Sequence, residues 1–337
     1  MRPTDTMNHT NTMTLPMLSK PAGAHTNITA FLGEFIGTFL FLFFSFAGAE
    51  IAINSGAAAL EPGADMIGIP STQNLMFTAL VSGLSLMANA WAFYRVTGGL
   101  FNPSVTLALF LVGGLSAVRS VIVVIAQLLA GMAAAGVVSA LFPGPVDVGT
   151  TLGGGASVVQ GLFIEMLLTA ELVFVVIMVA AEKHKSTYLA PVAIGMAFFL
   201  AELVGVYFTG GSLNFARSLG PAVVNRNFPS YFWIYFLGPV LGSLLASGFY
   251  ALLKYLRWKE CNPGQDVDDE EKLKFNNARI QEKERYGSAA DGHATPRETV
   301  TPPNGAVSPS GTTVADSPTA PRALNYNQHE ETVGRVA

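Results

Sequence analysis

Charged residues are scarce in this chain. Asp, Glu, Lys and Arg make up 12% of its 337 residues, against about 25% in ordinary soluble domains, while half of the residues are hydrophobic. Most of the charges collect in the C-terminal segment 257–337, which is also rich in Pro, Ser and Thr. These proportions predict an apolar membrane domain over residues 28–256, embedded in a lipid bilayer and flanked by disordered tails at 1–27 and 257–337.

Several functional groups are missing as well. The only cysteine is Cys261, which excludes a disulfide within the chain. The net charge of −4 is small and acidic, so the sequence predicts no nucleic-acid partner. The apolar stretches contain no cluster of His, Cys or Asp and no nucleotide motif. We therefore expect no metal, no cofactor and no enzymatic activity.

Six apolar stretches approach or exceed the length that crosses about 30 Å of hydrocarbon. They lie near 29–53, 73–94, 117–141, 160–182, 189–208 and 230–256. Lys and Arg occur in alternate connections, whereas the connections 54–72 and 142–159 carry only acidic charges. By the positive-inside rule, both termini are predicted to be cytoplasmic. Arg217 and Arg226 are exceptions, because they lie in the last extracellular connection.

A short motif occurs twice, as "TGGLFNPS" at 97–104 and "TGGSLNFA" at 209–216. Each copy leads into an apolar helix of about 16 Å, half the thickness of the membrane. The spacing E-x-x-x-T also recurs, at Glu34 and at Glu165. Each half of the chain thus has three spans and one half-helix. Because three is odd, the second half must be inverted relative to the first.

Inversion brings the N-termini of the two half-helices together in the middle of the membrane. Asn102 and Asn214 then cap these helices, and their amide groups also donate to a passing solute. Irregular backbone at this depth is tolerated only where it lines a watery path. The positive ends of both helix dipoles oppose the passage of cations and protons. The motif therefore predicts a pore for neutral solutes.

With paired motifs, repeated glutamates and inverted halves, segment 28–256 resembles the aquaporin (major intrinsic protein) family. The resemblance implies an all-α membrane protein of six transmembrane helices and two re-entrant half-helices, with a pore in each subunit of a homotetramer. It also implies a central constriction at Asn102-Pro103-Ser104 and Asn214-Phe215-Ala216. The long tails are similar to those of filamentous-fungal members, and a plasma-membrane location is expected.

The resemblance further assigns an extracellular selectivity filter. Its positions are Ser82, Glu202, Gly211 and Arg217. Arg217 is expected to donate hydrogen bonds to the solute and to repel cations. The family reading of Glu34 and Glu165 is structural, as acceptors of hydrogen bonds from the re-entrant loops, rather than as proton relays.

Three departures from the family pattern stand out. Ser104 replaces the usual Ala, a mild change. Phe215 replaces the usual Pro and is expected to crowd the point where the half-helices meet. Ser82 and Glu202 replace an aromatic residue and a His, so the filter is expected to be wider on one side. Glu202 either pairs with Arg217 or turns away and caps a loop.

The solute is predicted to be water, with hydrogen peroxide or another small neutral solute as a further candidate. Ser218, Ala222 and Tyr235-Phe236 resemble water-type rather than glycerol-type members. The alternatives are a glycerol-type channel and a poorly conducting or gated homologue. Secondary transport, the rival class, would normally need a carboxylate cluster in mid-membrane. Four Ser/Thr-Pro sites are either phosphorylation targets or chance occurrences in Pro-rich sequence: Thr295, Thr301, Ser308 and Ser317.

Overall fold

The computed structural model describes residues 23–58 and 71–262, together with residues 277, 280 and 281. Most of both predicted tails, including the four candidate phosphorylation sites, lies outside these residues. The described residues 23–58, 71–262 and 277 belong to one compact unit, and only residues 280 and 281 are described of the second.

The described part of the chain is helical and contains no strand. Six helices are long and apolar enough to cross a membrane, and two short helices follow the repeated motifs, so the predicted all-α fold is confirmed. The helices are α1 (Ala24–Ala58), α2 (Thr72–Phe93), α3 (Pro103–Leu111), α4 (Ala117–Leu141), α5 (Val158–Val176), α6 (Ala190–Thr209), α7 (Phe215–Val224) and α8 (Ile234–Tyr255).

The helix ends follow from local sequence. Serine side chains cap the N-termini of α2, α4 and α5, and at α5 the cap is reciprocal, because Ser157 and Gln160 each bond the backbone of the other. α5 ends in a wider π-type turn, Ile177–Ala181. α8 begins at Ile234, later than the apolar run at 230 suggests, because residues 229–233 form separate turns.

Each half-helix packs against a long helix from the other half of the chain. α3 contacts α8 as well as α4, and α7 packs mainly on α4. The crossing of α4 and α7 is very close. A Cβ atom on Gly131 would lie 2.3 Å from the carbonyl oxygen of Ala216, and one on Gly220 would lie 2.3 Å from the carbonyl oxygen of Gly131. Small residues at helix crossings of this kind are how membrane helices gain close contact.

A cluster of charges around the buried Glu182 joins the turn after α5 to the end of α8. Glu182 accepts a short hydrogen bond from the Tyr250 hydroxyl. Its carboxylate also lies 2.8 Å from Lys254 Nζ and 3.2 Å from Lys259 Nζ. Burial opposes ionisation of Glu182, but the hydrogen bonds and the positive charge of Lys254 outweigh it and lower the pKa of this carboxyl to about 2.

Candidate functional site

The first re-entrant loop is held by Glu34 of α1, which is fully buried. Its two carboxylate oxygens accept hydrogen bonds from the backbone N–H groups of Leu100 (3.1 Å) and Phe101 (2.9 Å). Gln127 of α4 donates a third hydrogen bond through Nε2, at 2.8 Å. Phe101 adopts a left-handed φ of 51°. The carboxylate therefore stabilises a loop conformation that a non-glycine residue adopts only at a cost.

The second loop repeats this arrangement around Glu165 of α5. The backbone N–H groups of Ser212 and Leu213 donate to its two oxygens at 3.0 Å and 2.8 Å, and Leu213 has φ 50°. No glutamine supports this carboxylate, because α8 carries Gly238 close to the Glu165 side chain. Both carboxylates thus bind loop backbone.

Asn102 and Asn214 cap α3 and α7 and also tie the two loops together. The Oδ1 atoms accept the cap hydrogen bonds from Ser104 N and Ala216 N, at 2.8 Å and 3.0 Å. Asn102 Nδ2 donates to the carbonyl of Leu213 at 2.8 Å. Reciprocally, Asn214 Nδ2 donates to the carbonyl of Phe101, also at 2.8 Å. Each amide nitrogen carries two hydrogens, so each keeps one for a solute.

The two loops also present unpaired acceptors. Within the described residues, the carbonyl oxygens of 98–100 and 210–212 accept no protein hydrogen bond. Positive φ values at Gly98, Gly99, Gly210 and Gly211 give these segments a backbone path that helices do not have. Along the chain, three carbonyl acceptors therefore precede the amide donor of the asparagine in each loop.

A cavity of about 780 Å³ leads to the asparagine pair. Both asparagines and the backbone of 97–100 contribute to its lining, and most of the remaining wall is apolar, as with Phe41, Ile194 and Phe198. Three basic residues also line it: Arg95, Arg119 and Lys183. A chain of polar groups thus runs along one side of a mostly apolar passage.

Beyond the asparagines lies Arg217, which is 7% exposed. Its Nη1 donates to the carbonyl of Val148 at 2.6 Å. Its guanidinium carbon lies 5.6 Å from the ring centre of Phe46 on α1, within the distance of a cation–π contact. Sequence reasoning missed Phe46, because it is one of many phenylalanines in α1 and carries no motif of its own.

Glu202 does not form the expected ion pair. Among the described residues it has no salt bridge to Arg217 and caps no loop, although it is only 2% exposed. Instead its carboxylate packs against Gly211, where a Cβ atom would lie 2.1 Å from Glu202 Oε2. Arg217 is held by Val148 and Phe46, while Glu202 interacts with its charge without a direct salt bridge. The pairing of Glu202 with Arg217 during transport stays a prediction.

Ser82 and Phe215 also lie differently from the simplest reading. The Ser82 hydroxyl is bonded to the Ser45 hydroxyl of α1 at 2.7 Å. The Phe215 ring packs beside Phe232 and Phe236, with ring centres 6.1 Å and 5.3 Å away, and is not part of the cavity wall. The expectation that Phe215 crowds the pore centre is therefore wrong, because its side chain points towards α8 and the turns before it.

The remaining site residues serve the loop scaffold. Pro103 occupies the first turn of α3, where its missing N–H costs nothing. Ser218 bonds both Thr150 (2.9 Å) and Ser212 (2.6 Å) through its hydroxyl. No group of three or more His, Cys, Asp or Glu side chains in the described ranges could hold a metal ion.

Fold and site together define an inverted-repeat membrane protein in which two half-helices meet at paired asparagines. The profile of the major intrinsic protein family matches residues 22–250, and the chain belongs to that family. Its members are channels for water and small solutes in membranes, not enzymes.

Fungal aquaporins are among the similar proteins. "Aquaporin-7" of Botryotinia fuckeliana is 52% identical over 242 residues, which cover 72% of this chain and 53% of that protein. "Probable aquaporin-3" of Gibberella zeae is 48% identical over 241 residues, which cover 71% and 82%. The chain spans about half the length of several such relatives.

A solved structure supports the fold. The X-ray structure of the aquaglyceroporin from Plasmodium falciparum superposes with a TM-score of 0.56, covering 66% of this chain and 95% of that one. The sequence identity is 21%, so this likeness shows the fold alone.

Proposed function

We propose that this protein is a channel for passive, bidirectional transport of water, with hydrogen peroxide as a second solute. The observation that carries the proposal is the asparagine pair. Each amide group is fixed by one hydrogen bond to the opposite loop, at 2.8 Å, and keeps one hydrogen directed to a solute. A neutral molecule with an acceptor oxygen satisfies both donors in turn.

The carbonyl acceptors complete the path. A water molecule at Asn102 or Asn214 accepts from the amide and donates to carbonyls of 98–100 or 210–212. The N-termini of α3 and α7 both direct positive partial charge towards this point, so the oxygen of a central water faces the asparagines. Waters on the two sides then have opposite orientations, which interrupts a chain of proton transfers.

The apolar wall explains how passage stays fast. Residues such as Phe41, Ile194 and Phe198 offer no hydrogen bond, so a solute exchanges partners along one side only. Few partners mean shallow binding, and conduction requires that a solute be bound weakly enough to leave. We expect a low activation energy for water flow.

Arg217 is the selective element on the far side of the asparagines. Its charge disfavours cations, while its remaining N–H groups, beyond the one bonded to Val148, donate to neutral oxygens. Ser82, Glu202 and Gly211 are proposed to share this filter. Hydrogen peroxide, which donates and accepts much as water does, fits the same groups.

The cellular arrangement is also a proposal. Residues 28–256 would form the channel domain, assembled as a homotetramer in the plasma membrane with both termini in the cytoplasm. The alternating basic connections and the basic residues Arg95, Arg119 and Lys183 that line the cavity support this orientation. Phosphorylation of the C-terminal tail at Thr295, Thr301, Ser308 or Ser317 remains a proposed regulation.

Stopped-flow swelling of proteoliposomes tests the function, with water, hydrogen peroxide and glycerol gradients. The parent should raise water permeability with a low activation energy and no ion current. Asn102→Leu should lower the water permeability about tenfold, because it removes one hydrogen bond and the cap of α3. Asn89→Leu is the matched control, because Asn89 bonds the Ser85 carbonyl and does not line the cavity.

Three outcomes would contradict the proposal. Faster glycerol than water flux would favour a glycerol-type channel. Permeability equal to that of empty vesicles, with correct folding, would favour a poorly conducting or gated homologue. A proton flux coupled to solute movement would favour a secondary transporter.

A further inference from the structure

An aromatic side chain that belongs to no sequence motif lies close to Arg217. Ser82, the predicted filter position on α2, is small, and its hydroxyl is turned to Ser45 of α1 at 2.7 Å. The next residue along α1 is Phe46, whose side chain is 0% exposed. The α1 residue that bonds Ser82 is thus followed directly by the residue whose ring faces Arg217.

The placement of this ring is fixed by hydrogen bonds between α1 and α2. Besides the contact of Ser45 with Ser82, the Ser85 hydroxyl donates to the carbonyl of Phe41 at 2.7 Å. The helices are also close at Gly48, where a Cβ atom would lie 2.5 Å from the Val81 side chain. The register of α1 on α2 is therefore set on both sides of Phe46.

Phe46 in turn positions the arginine. The guanidinium carbon of Arg217 lies 5.6 Å from the ring centre, and Nη1 donates to the carbonyl of Val148 at 2.6 Å. One contact holds the group from the aromatic side and the other from the loop side. The arginine is thus held by these two contacts rather than by a direct salt bridge.

Glu202 of α6 is a second buried side chain close to Arg217. It is 2% exposed and forms no direct salt bridge among the described residues, although its carboxylate lies close enough to interact with the charge of Arg217. Its carboxylate lies against Gly211, in the loop that leads to Arg217. A carboxylate only accepts hydrogen bonds when it is ionised, whereas a guanidinium only donates them. The constriction therefore offers donors from Arg217 and an acceptor from Glu202.

We propose that Phe46 is the aromatic wall of the selectivity filter, supplied by α1 in place of the residue missing at Ser82, and that it limits passage to small neutral solutes that both donate and accept hydrogen bonds. Phe46 acts by filling space and by positioning Arg217. This inference rests on the proposed channel function and names the residue that sets its size limit.

The test compares two phenylalanines of the same helix. Phe46→Ala should raise the ratio of glycerol to water permeability about tenfold, the lower end of what a changed pocket size does to discrimination. Phe44→Ala is the matched control, because Phe44 is 51% exposed on the outside of the helical bundle. The permeability ratio of this variant should equal that of the parent. Phe46→Leu, which keeps most of the volume, should give an intermediate ratio and guards against misfolding of the alanine variant.

A second substitution that restores an aromatic ring distinguishes a filter role of Phe46 from a general loosening of the helix packing. Phe46→Ala combined with Ser82→Phe should again exclude glycerol, because the ring returns from α2. An unchanged ratio in Phe46→Ala and Phe46→Leu, with both proteins folded, would overturn the proposal, as would an equal increase in Phe44→Ala.

The proposed function can fail separately. If the parent passes glycerol freely, the water-channel proposal is wrong, and erythritol then replaces glycerol as the larger solute. If the parent conducts nothing, solute flux through Phe46→Ala but not through Phe44→Ala still supports the filter role. Absence of flux in both variants overturns it.

Discussion

Replacing Glu34 by glutamine should loosen the first re-entrant loop by a predictable amount. The carboxylate accepts three hydrogen bonds, from the backbone of Leu100 and Phe101 and from Gln127 Nε2. A glutamine offers one acceptor oxygen and turns an NH2 group towards a second donor. At least one buried N–H is then left unpaired, which costs about 1–3 kcal/mol, and the contact with Gln127 is disturbed as well.

Glu165→Gln is the matched comparison, because Glu165 accepts only two backbone hydrogen bonds. We expect a loss of about 3 kcal/mol for Glu34→Gln and about 2 kcal/mol for Glu165→Gln. For a domain of this size, each kcal/mol lowers the midpoint of thermal unfolding by about 2–4 °C. Tryptophan fluorescence of the detergent-purified proteins measures this midpoint. Midpoints within about 1 °C of the parent for both variants would refute the view that hydrogen bonds to these side chains hold the loops.

Three further predictions follow from the same contacts. Arg217→Val should raise the proton leakage of proteoliposomes about tenfold, measured with an enclosed pH dye. Unchanged leakage would show that the charge of Arg217 does not exclude cations. Water flux should be insensitive to mercury, because Cys261 is exposed after α8. Gly211→Cys should fold poorly, because Gly211 has a φ of +61° and a Cβ atom there would lie 2.1 Å from the Glu202 carboxylate. The folded-state pKa of Glu182 is about 2, below its ordinary value of 4.5. The ionised carboxylate therefore contributes about 1–2 kcal/mol to the free energy of unfolding above the ordinary pKa, and this contribution is lost as the pH falls towards 2. Thermal midpoints should therefore fall between about pH 5 and about pH 3 in the parent and in Glu260→Gln but much less in Glu182→Gln, and parallel curves would count against the cluster.

The sequence by itself determined the elements and their symmetry. Scarcity of charge and six long apolar stretches require membrane-spanning helices, because backbone groups in hydrocarbon must be bonded internally. The duplicated T-G-G-x-x-N motif required two half-helices, since Asn102 and Asn214 are strong N-caps before runs too short to cross. Glu34 and Glu165 were recognisable because a carboxylate in hydrocarbon needs specific partners.

Only the tertiary structure decided what each side chain near Arg217 does. The family resemblance placed Glu202 and Arg217 at one selectivity filter, but whether two charges bond depends on rotamers and competing partners. Here Val148 and Phe46 hold the arginine, and the direction of the Phe215 ring towards Phe232 and Phe236 was likewise set by packing. Phe46 carries no signal along the chain, because its role comes from the register of α1 on α2, which non-local hydrogen bonds fix. A repeated motif encodes local backbone geometry, whereas the width of a pore depends on contacts between helices distant in sequence.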